Sequence, residues 1–357
     1  MKLLNKASYH VLGIMSGTSL DGIDIAEIKF TLTEDKVWAF DILTSTTKAY
    51  CSAWRERLGR AVLLTENQLD LLDLEYTAYL SEVILKFIAT YKIENLDAVC
   101  SHGHTVLHRP DKGLTLQIGN LPKLAELLQQ TVVCNFRVQD VQLGGQGAPL
   151  VPIGDSLLFG QYNYCLNLGG FANISYDNNG QRVAFDICPV NIILNIYAQN
   201  LGFSYDDKGQ MAASGVLNLE LLKQLNELHF YSEMPPKSLG LEWVREFVLP
   251  ILDASIIAFE DKLRTIVEHI AIQISVQIET EAAVLITGGG VYNEFLMSRI
   301  RSYKNMELVM PSKKLIEFKE ALIFGLLGVL RLRGSVNCLA SVTGAKNDHS
   351  SGAIYFI

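Results

Sequence analysis

Three glycine turns, each directly after an apolar strand-like run, are the first residues in this chain that could do chemistry. They are Gly17–Gly22 in "GIMSGTSLDGID", Gly169–Gly170 in "LNLGGFANISY" and Gly288–Gly290 in "LITGGGVYN". A glycine turn at the carboxyl end of a strand bares backbone N–H groups with no Cβ in front of them, which suits phosphate. Each alone could be an ordinary turn; three at strand ends favour phosphate. None is a GxxxxGK[ST] loop and no GxGxxG occurs, so a Walker-type loop is absent and a dinucleotide site is disfavoured. Asp21 and Asp24 in the first turn could hold magnesium, directly or through water. They could equally hydrogen-bond their own turn, and Asp24 already alternates into the next strand. Asp186 in "AFDICPVN" ends a buried apolar strand, where an ionised carboxylate is costly unless it is paired or working. The other reading of Asp186 is a cap on the helix that begins near Asn191. Glu320 is read at the head of the C-terminal helix, where a carboxylate complements the helix dipole, and its position also allows a site role. His102, His104 and His108 in "SHGHTVLHRP" have no local Cys or Asp cluster. A polar loop offering Thr105 or a histidine to a substrate hydroxyl is preferred there to a metal site.

The elements that must position these residues come in two similar series. The first runs "YHVLGIM", "GIDIAEIKFTL" and "KVWAFDIL", with period-two alternation. The second runs "YCLNLGGFANISY", a strand, a glycine turn and a strand, and then "QRVAFDIC". The third strand of each series carries "AFDI", at Asp41 and at Asp186, but Asp41 runs on into "ILTST" with no Pro or Asn neighbour. Between the series come a helix with apolar residues at i, i+3, i+4 and i+7 ("ENQLDLLDLEYTAYLSEVILKFIATY"), strands at "LDAVCSHG" and around "TLQIGN", a helix at "LPKLAELLQQ" and a strand at "TVVCNF". A Gly/Pro-rich junction, "QLGGQGAPLVPIGD", follows. After the second series the chain turns helical from Asn191, breaks at Pro235–Pro236 and forms a long helix around "FEDKLRTIVEHIAIQISVQIET". It closes with strand "AAVLITGGG", helix "VYNEFLMSRIRSY", strand "MELVMPS" and helix "KEALIFGLLGVLRLRG". This order predicts a duplicated α/β architecture with largely parallel sheets covered by helices on both faces.

Length and composition agree. A chain of 357 residues is long for one core, so two domains are expected. Apolar residues at 49% and charged residues at 19% describe a well-buried globular chain. The net charge of −8, with no Lys/Arg run longer than two, disfavours nucleic acid and favours small ligands. The apolar run "ALIFGLLGVL" is about half of a bilayer span, and "VLGIM" is too short for a signal-peptide core. The six cysteines include no CxxC or CxxH pair, so neither disulfides nor a zinc finger is expected. A cytoplasmic location with no membrane partner is the expectation.

Taken together, "GIMSGTSLDGID", "SHGHTVLHRP", "TLQIGN", "LGGQGAPLVPIGD", "LNLGGFANISY", "AFDICPVN", "PKSLGLEW", "LITGGGVYN" and "SVTGA" resemble the anhydro-N-acetylmuramic acid kinases, of the actin/sugar-kinase/heat-shock-ATPase superfamily. The resemblance runs nearly the whole chain. It implies two duplicated ribonuclease-H-like α/β domains, here 1–142 and 143–357, with ATP in the cleft between them and the last helix able to pack back on the first. It implies a phosphate loop at Gly17, Thr18, Ser19, Leu20, Asp21, Gly22, Ile23 and Asp24. A second phosphate loop would lie at Gly169 and Gly170, and an adenosine turn at Gly288, Gly289 and Gly290. Asp186 would be the general base, and Thr105 and Arg137 would contact the sugar. From the reading of the residues themselves, Glu320 joins them as a candidate substrate contact and Asp21 is the candidate magnesium ligand. The implied reaction opens the 1,6-anhydro ring with water and transfers the γ-phosphoryl of ATP to O6, in cell-wall recycling. A homodimer is also possible. Two alternatives stay open: a kinase of the same fold for another amino sugar without ring hydrolysis, and a non-kinase actin-like or chaperone-like ATPase module. This sequence departs from the family pattern at His104, Val138, Gln139, Cys188, Val190, Asn195 and Leu241, which bears on the sugar contacts and on the backbone after Asp186.

Overall fold

The computed structural model describes residues 5–17 and 19–357; Thr18 lies outside the described residues. The chain divides into two compact units, Met1–Leu158 with Phe318–Ile357, and Phe159–Glu317.

The first unit is built on β1 (Ser8–Ser16), β2 (Gly22–Leu32), β3 (Trp38–Ala49), β4 (Ala98–Arg109), β5 (Leu114–Ile118) and β6 (Val132–Cys134). Its sheet runs β6-β4-β1-β2-β3, with β5 on β4 and the C-terminal strand Ala353–Tyr355 on β6. β1, β2 and β3 are joined by hairpins and so pair antiparallel, whereas β4 and β6 follow helices and pair parallel. The helix Glu66–Tyr91 starts at a Thr65–Gln68 capping box. It buries Leu69, Leu72, Tyr76, Leu80, Ile84 and Phe87, spaced three or four apart, against Leu12, Ile14, Ile23 and Ile25 of the sheet. Each such side chain contributes about 1.5–3 kcal/mol when fully buried. The opposite face takes the helix Lys313–Arg333, whose Gly328 sits against Cys100 and whose Gly325 sits against Ile28 and Phe30. That helix leaves helical geometry at Phe318 (φ −117°, ψ 16°).

The second unit holds β7 (Tyr164–Leu168), β8 (Phe171–Asn178), β9 (Gln181–Pro189), β10 (Ala283–Thr287) and β11 (Glu307–Val309) in the order β11-β10-β7-β8-β9. Again the first three strands pair antiparallel and the last two parallel. The two sheets share one order, so the duplication read from "AFDI" is present in the backbone. One face is filled by Leu166, Leu168, Ile174 and Ile187 against Ile266, Ile270 and Ile274 of the helix Phe259–Gln277.

Three expectations are corrected. The sheets are mixed rather than largely parallel, because each unit opens with a three-stranded hairpin series. The Gly/Pro junction contains a helix, Val151–Phe159, with Pro152 in its first turn, where a missing N–H costs nothing. Glu320 does not head the C-terminal helix, which begins at Lys313; it lies two residues after the break at Phe318. Among the described residues no helix is long and apolar enough to cross a membrane.

Candidate functional site

In the first unit the loop between β1 and β2 is short. The Leu20 N–H donates to the Gly17 carbonyl at 3.4 Å, Leu20 has φ +60°, and the Tyr50 N–H donates to the Asp21 carbonyl at 3.3 Å. Ser19 and Asp21 are exposed. A Cβ on Gly17 would meet only Ser19, at 3.6 Å, so its backbone is open to approach. Gly22, Ile23 and Asp24 belong to β2 instead, where Ile23 is fully buried and Asp24 Oδ1 accepts from Thr47 at 2.5 Å. Below the loop Ser16 Oγ lies 2.6 Å from Tyr50 Oη and 3.0 Å from His104 Nδ1, and Tyr50 Oη lies 2.5 Å from Tyr76 Oη. Burial pulls the His104 pKa down to about 4 and pushes Tyr50 up to about 12, so this layer is uncharged.

A bulge in β4 separates the histidines. Gly103 adopts φ +75°, and the register between β1 and β4 shifts across it. His104 therefore faces the tyrosines, while the His102 ring packs on Phe324, centroids 4.6 Å apart. Strand alternation puts Thr105 on the His102 face; it is half-buried and its side chain makes no hydrogen bond, opposite Gln117 of β5, whose buried Oε1 also lacks a partner. His102 Nδ1 lies 2.9 Å from the Gly103 carbonyl, which can only accept, so Nε2 carries the lone pair and accepts from Arg137 Nε at 2.9 Å. Arg137 Nη1 donates to the Gly147 carbonyl at 2.7 Å, which leaves Nη2 without a hydrogen bond. Glu320 is exposed and its side chain makes no hydrogen bond, while the charge of Arg137 favours its ionised form. His108 turns to Thr115 instead, at 3.0 Å.

In the second unit the two remaining glycine turns sit side by side at the ends of the parallel strands β7 and β10. Gly288 adopts φ +86°, and a Cβ there would lie 2.7 Å from the Leu168 carbonyl, so only glycine fits. Gly170 and Gly289 are open by contrast, their nearest neighbours Ile192 and Asn191 at 3.8 Å. Asn191 Nδ2 donates to the Leu168 carbonyl at 3.2 Å, and the Val190 N–H donates to Gly170 at 2.8 Å. The helix Asn191–Asn200 is thereby docked on the turn.

Asp186 does not cap that helix. Its Oδ2 accepts from the Leu239 N–H at 2.8 Å, and its own N–H donates to the Lys237 carbonyl at 3.1 Å. The "KSL" segment thus lies along β9 and grips one carboxylate oxygen, leaving Oδ1 without a hydrogen bond. Burial raises the Asp186 pKa, and the Leu239 bond only partly offsets it. Leu239 was not among the residues expected to shape the site, and His102 was expected only as one of three histidines able to reach a substrate hydroxyl. Leu239 acts through its backbone, which no side-chain pattern reveals; His102 was visible as a histidine but not as the partner of Arg137.

A model of the anhydro-N-acetylmuramic acid kinase family matches residues 9–357. An anhydro-N-acetylmuramic acid kinase from Pseudomonas syringae pv. tomato is 35% identical, covering 97% of this chain and 99% of that one. One from Pseudomonas putida is 36% identical over 96% and 98%, and one from Mannheimia succiniciproducens 32% over 97% and 98%. A solved ROK family glucokinase from Streptomyces griseus, in complex with glucose and AMPPNP, aligns over 89% of this chain and 99% of that one at 12% identity and TM-score 0.41. By class the chain is a sugar kinase, an enzyme that uses ATP. It belongs to the anhydro-N-acetylmuramic acid kinase family.

Proposed function

We propose that this enzyme opens the 1,6-anhydro ring of anhydro-N-acetylmuramic acid with water and phosphorylates the freed O6, in the cytoplasm of a bacterium that recycles its cell wall. The observation that carries this reading is the setting of Asp186, a half-buried carboxylate with one oxygen fixed by Leu239 and the other unpaired. A carboxylate so placed is oriented, and its raised pKa makes it a better base than an ordinary aspartate.

Asp186 takes a proton from water as the water oxygen bonds to the anomeric carbon. The bond from that carbon to O6 breaks, and O6 bonds to the γ-phosphorus as ADP leaves. On the family resemblance, the open backbone at Gly17 and at Gly170 would each serve phosphate, and Gly288–Gly290 would border the adenosine. Asp21 is exposed on its loop and suits magnesium, which is held by one or two carboxylates plus phosphates and keeps several waters. When bound, the ion neutralises charge on the transferring phosphoryl group. Arg137, held at Nε and Nη1, has Nη2 left for the lactyl carboxylate; Thr105 and Glu320 offer hydrogen bonds to sugar hydroxyls.

Turnover in ¹⁸O-labelled water, with the product read by mass spectrometry, tests the reaction. Label at the anomeric oxygen of a 6-phosphosugar is the expected result. An unlabelled product, or phosphorylation of an ordinary amino sugar in preference, would overturn it.

A further inference from the structure

In the first unit the chain after the helix Lys313–Arg333 folds back on itself through a short antiparallel bridge. The Cys338 N–H donates to the His349 carbonyl at 3.1 Å, and the His349 N–H donates to the Cys338 carbonyl at 3.2 Å. This pairing brings both side chains to Asp140, in the helix Val138–Gln142. Cys338 Sγ, a His349 ring nitrogen and an Asp140 carboxylate oxygen all lie within 4.8 Å of one another. All three residues are buried, at 1%, 7% and 0% exposure.

The hydrogen bonds fix what each group presents. His349 Nδ1 lies 3.0 Å from the Asn347 carbonyl, which can only accept, so Nδ1 carries the hydrogen of the neutral ring. Nε2 then turns its lone pair inward, and it has no hydrogen-bond partner. It faces Asp140 Oδ1 at 3.5 Å, one acceptor against another. Asp140 has only neutral donors of its own, Thr343 Oγ1 on Oδ1 and the Gly147 N–H on Oδ2, both at 2.7 Å. The charge of Arg137 reaches Asp140 without a hydrogen bond, and a cation held on the carboxylate itself would satisfy it directly. A proton on Nε2 would join only two of the three groups, and 3.5 Å is long for a charge-assisted bond of about 2.7–2.9 Å. A metal ion would join all three. Two nitrogen or oxygen ligands about 2.1 Å from a tetrahedral centre stand about 3.4 Å apart, close to the separation of Nε2 and Oδ1.

We propose that Asp140, Cys338 and His349 form a structural site for a divalent metal of the zinc class, with water or a backbone carbonyl as fourth ligand. Binding forms the sulfur–metal bond as the Cys338 thiol releases its proton to solvent. The site ties the C-terminal segment to the loop that positions Arg137. Gly147 links the two, since its N–H donates to Asp140 and its carbonyl accepts from Arg137.

The full-length protein, stripped with chelator, is titrated with cobalt(II) as the spectroscopic stand-in for zinc. The exposed Cys51 is first replaced (Cys51→Ser) so that it cannot contribute thiolate. One equivalent of cobalt with a thiolate-to-metal charge-transfer band is expected. The band should vanish in Cys338→Ser, and affinity should fall by about 10-fold or more in His349→Gln and in Asp140→Asn. Added zinc should raise the Tm of the parent but not of His349→Gln. No band in the parent, or an unchanged band in Cys338→Ser, would overturn the site. Should Cys338→Ser fail to fold, unchanged cobalt affinity in both His349→Gln and Asp140→Asn would do the same. A parent Tm that zinc does not raise would overturn the structural role.

Discussion

The two sheets have the same strand order, yet the aspartates of the two "AFDI" stretches in their third strands lead different lives. Asp186 lies near the glycine-turn end of β9 and Asp41 far from that end of β3. Asp41 is exposed on β3, opposite Lys29. Asp186 on β9 is half-buried opposite Asn173, with Leu239 donating to one oxygen and burial raising its pKa. The glycine turns differ as well. The first is an open loop over an uncharged Ser16–Tyr50–His104 layer, whereas Gly288 is wedged against Leu168. Duplication supplied a scaffold twice, and the surroundings of each copy decided where chemistry could be done. The same "AFDI" gives a surface residue in one unit and, in the other, the half-buried carboxylate that we propose as the base.

The largest test of that contrast is the paired exchange of the two carboxylates. Asp186→Asn should lower kcat by at least about 10²–10⁴-fold, the span typical of a lost general base, while nucleotide titration shows ATP still bound. Asp41→Asn should leave kcat within about twofold, since it removes an exposed charge far from any buried network. Equal losses in the two variants would erase the distinction.

Next comes Arg137, whose free Nη2 has no counterpart in the second unit's site. Arg137→Ala should cost about 1.5–3 kcal/mol of binding to a charged group, or roughly 10–100-fold in kcat/KM, read mainly in KM for the sugar. His102→Phe keeps the ring packing on Phe324 but removes the acceptor for Nε. It should raise KM by several-fold with kcat little changed, which separates positioning from chemistry.

The glycine turns give a comparison in stability. Gly288→Ala forces a side chain into positive φ and against the Leu168 carbonyl, and should destabilise by at least about 1–3 kcal/mol in urea unfolding. Gly17→Ala meets open space and should leave stability nearly unchanged while weakening ATP binding.

The smallest effect is electrostatic. His104 is held neutral with its pKa drawn from 6.5 to about 4, so the unfolded chain binds its proton first as pH falls. Stability should therefore drop between pH 6.5 and about 4 and level off below, and His104→Gln should flatten that part of the curve. His269 in the second unit, drawn to about 3, should carry its share of the loss further into acid.

Much of this was legible in the residues. Period-two alternation with the repeated "AFDI" marked both hairpin series, and the cost of a carboxylate in an apolar strand marked Asp186. The helix Val151–Phe159 was hidden because Pro152 and Gly154 read as breakers, although a first-turn proline is tolerated. The grip on Asp186 was hidden because a backbone N–H 53 residues away makes it. The Asp140–Cys338–His349 cluster was invisible for a related reason, since cysteine rules look for close spacing and Asp140 lies some two hundred positions before its partners. Gly103 could be seen as a glycine, but only the bulge shows that it sends His102 and His104 to opposite faces of the sheet.

The most direct test of the central claim, that burial poises Asp186 as the base, is kcat against pH over the range where circular dichroism shows the enzyme folded. The rate should fall toward acid with an apparent pKa above the usual aspartate value of about 3.9, because the carboxylate must be ionised to take the proton. That limb should be missing from the residual turnover of Asp186→Asn. An acid limb at or below about 3.9, or the same limb persisting in Asp186→Asn, would contradict the account.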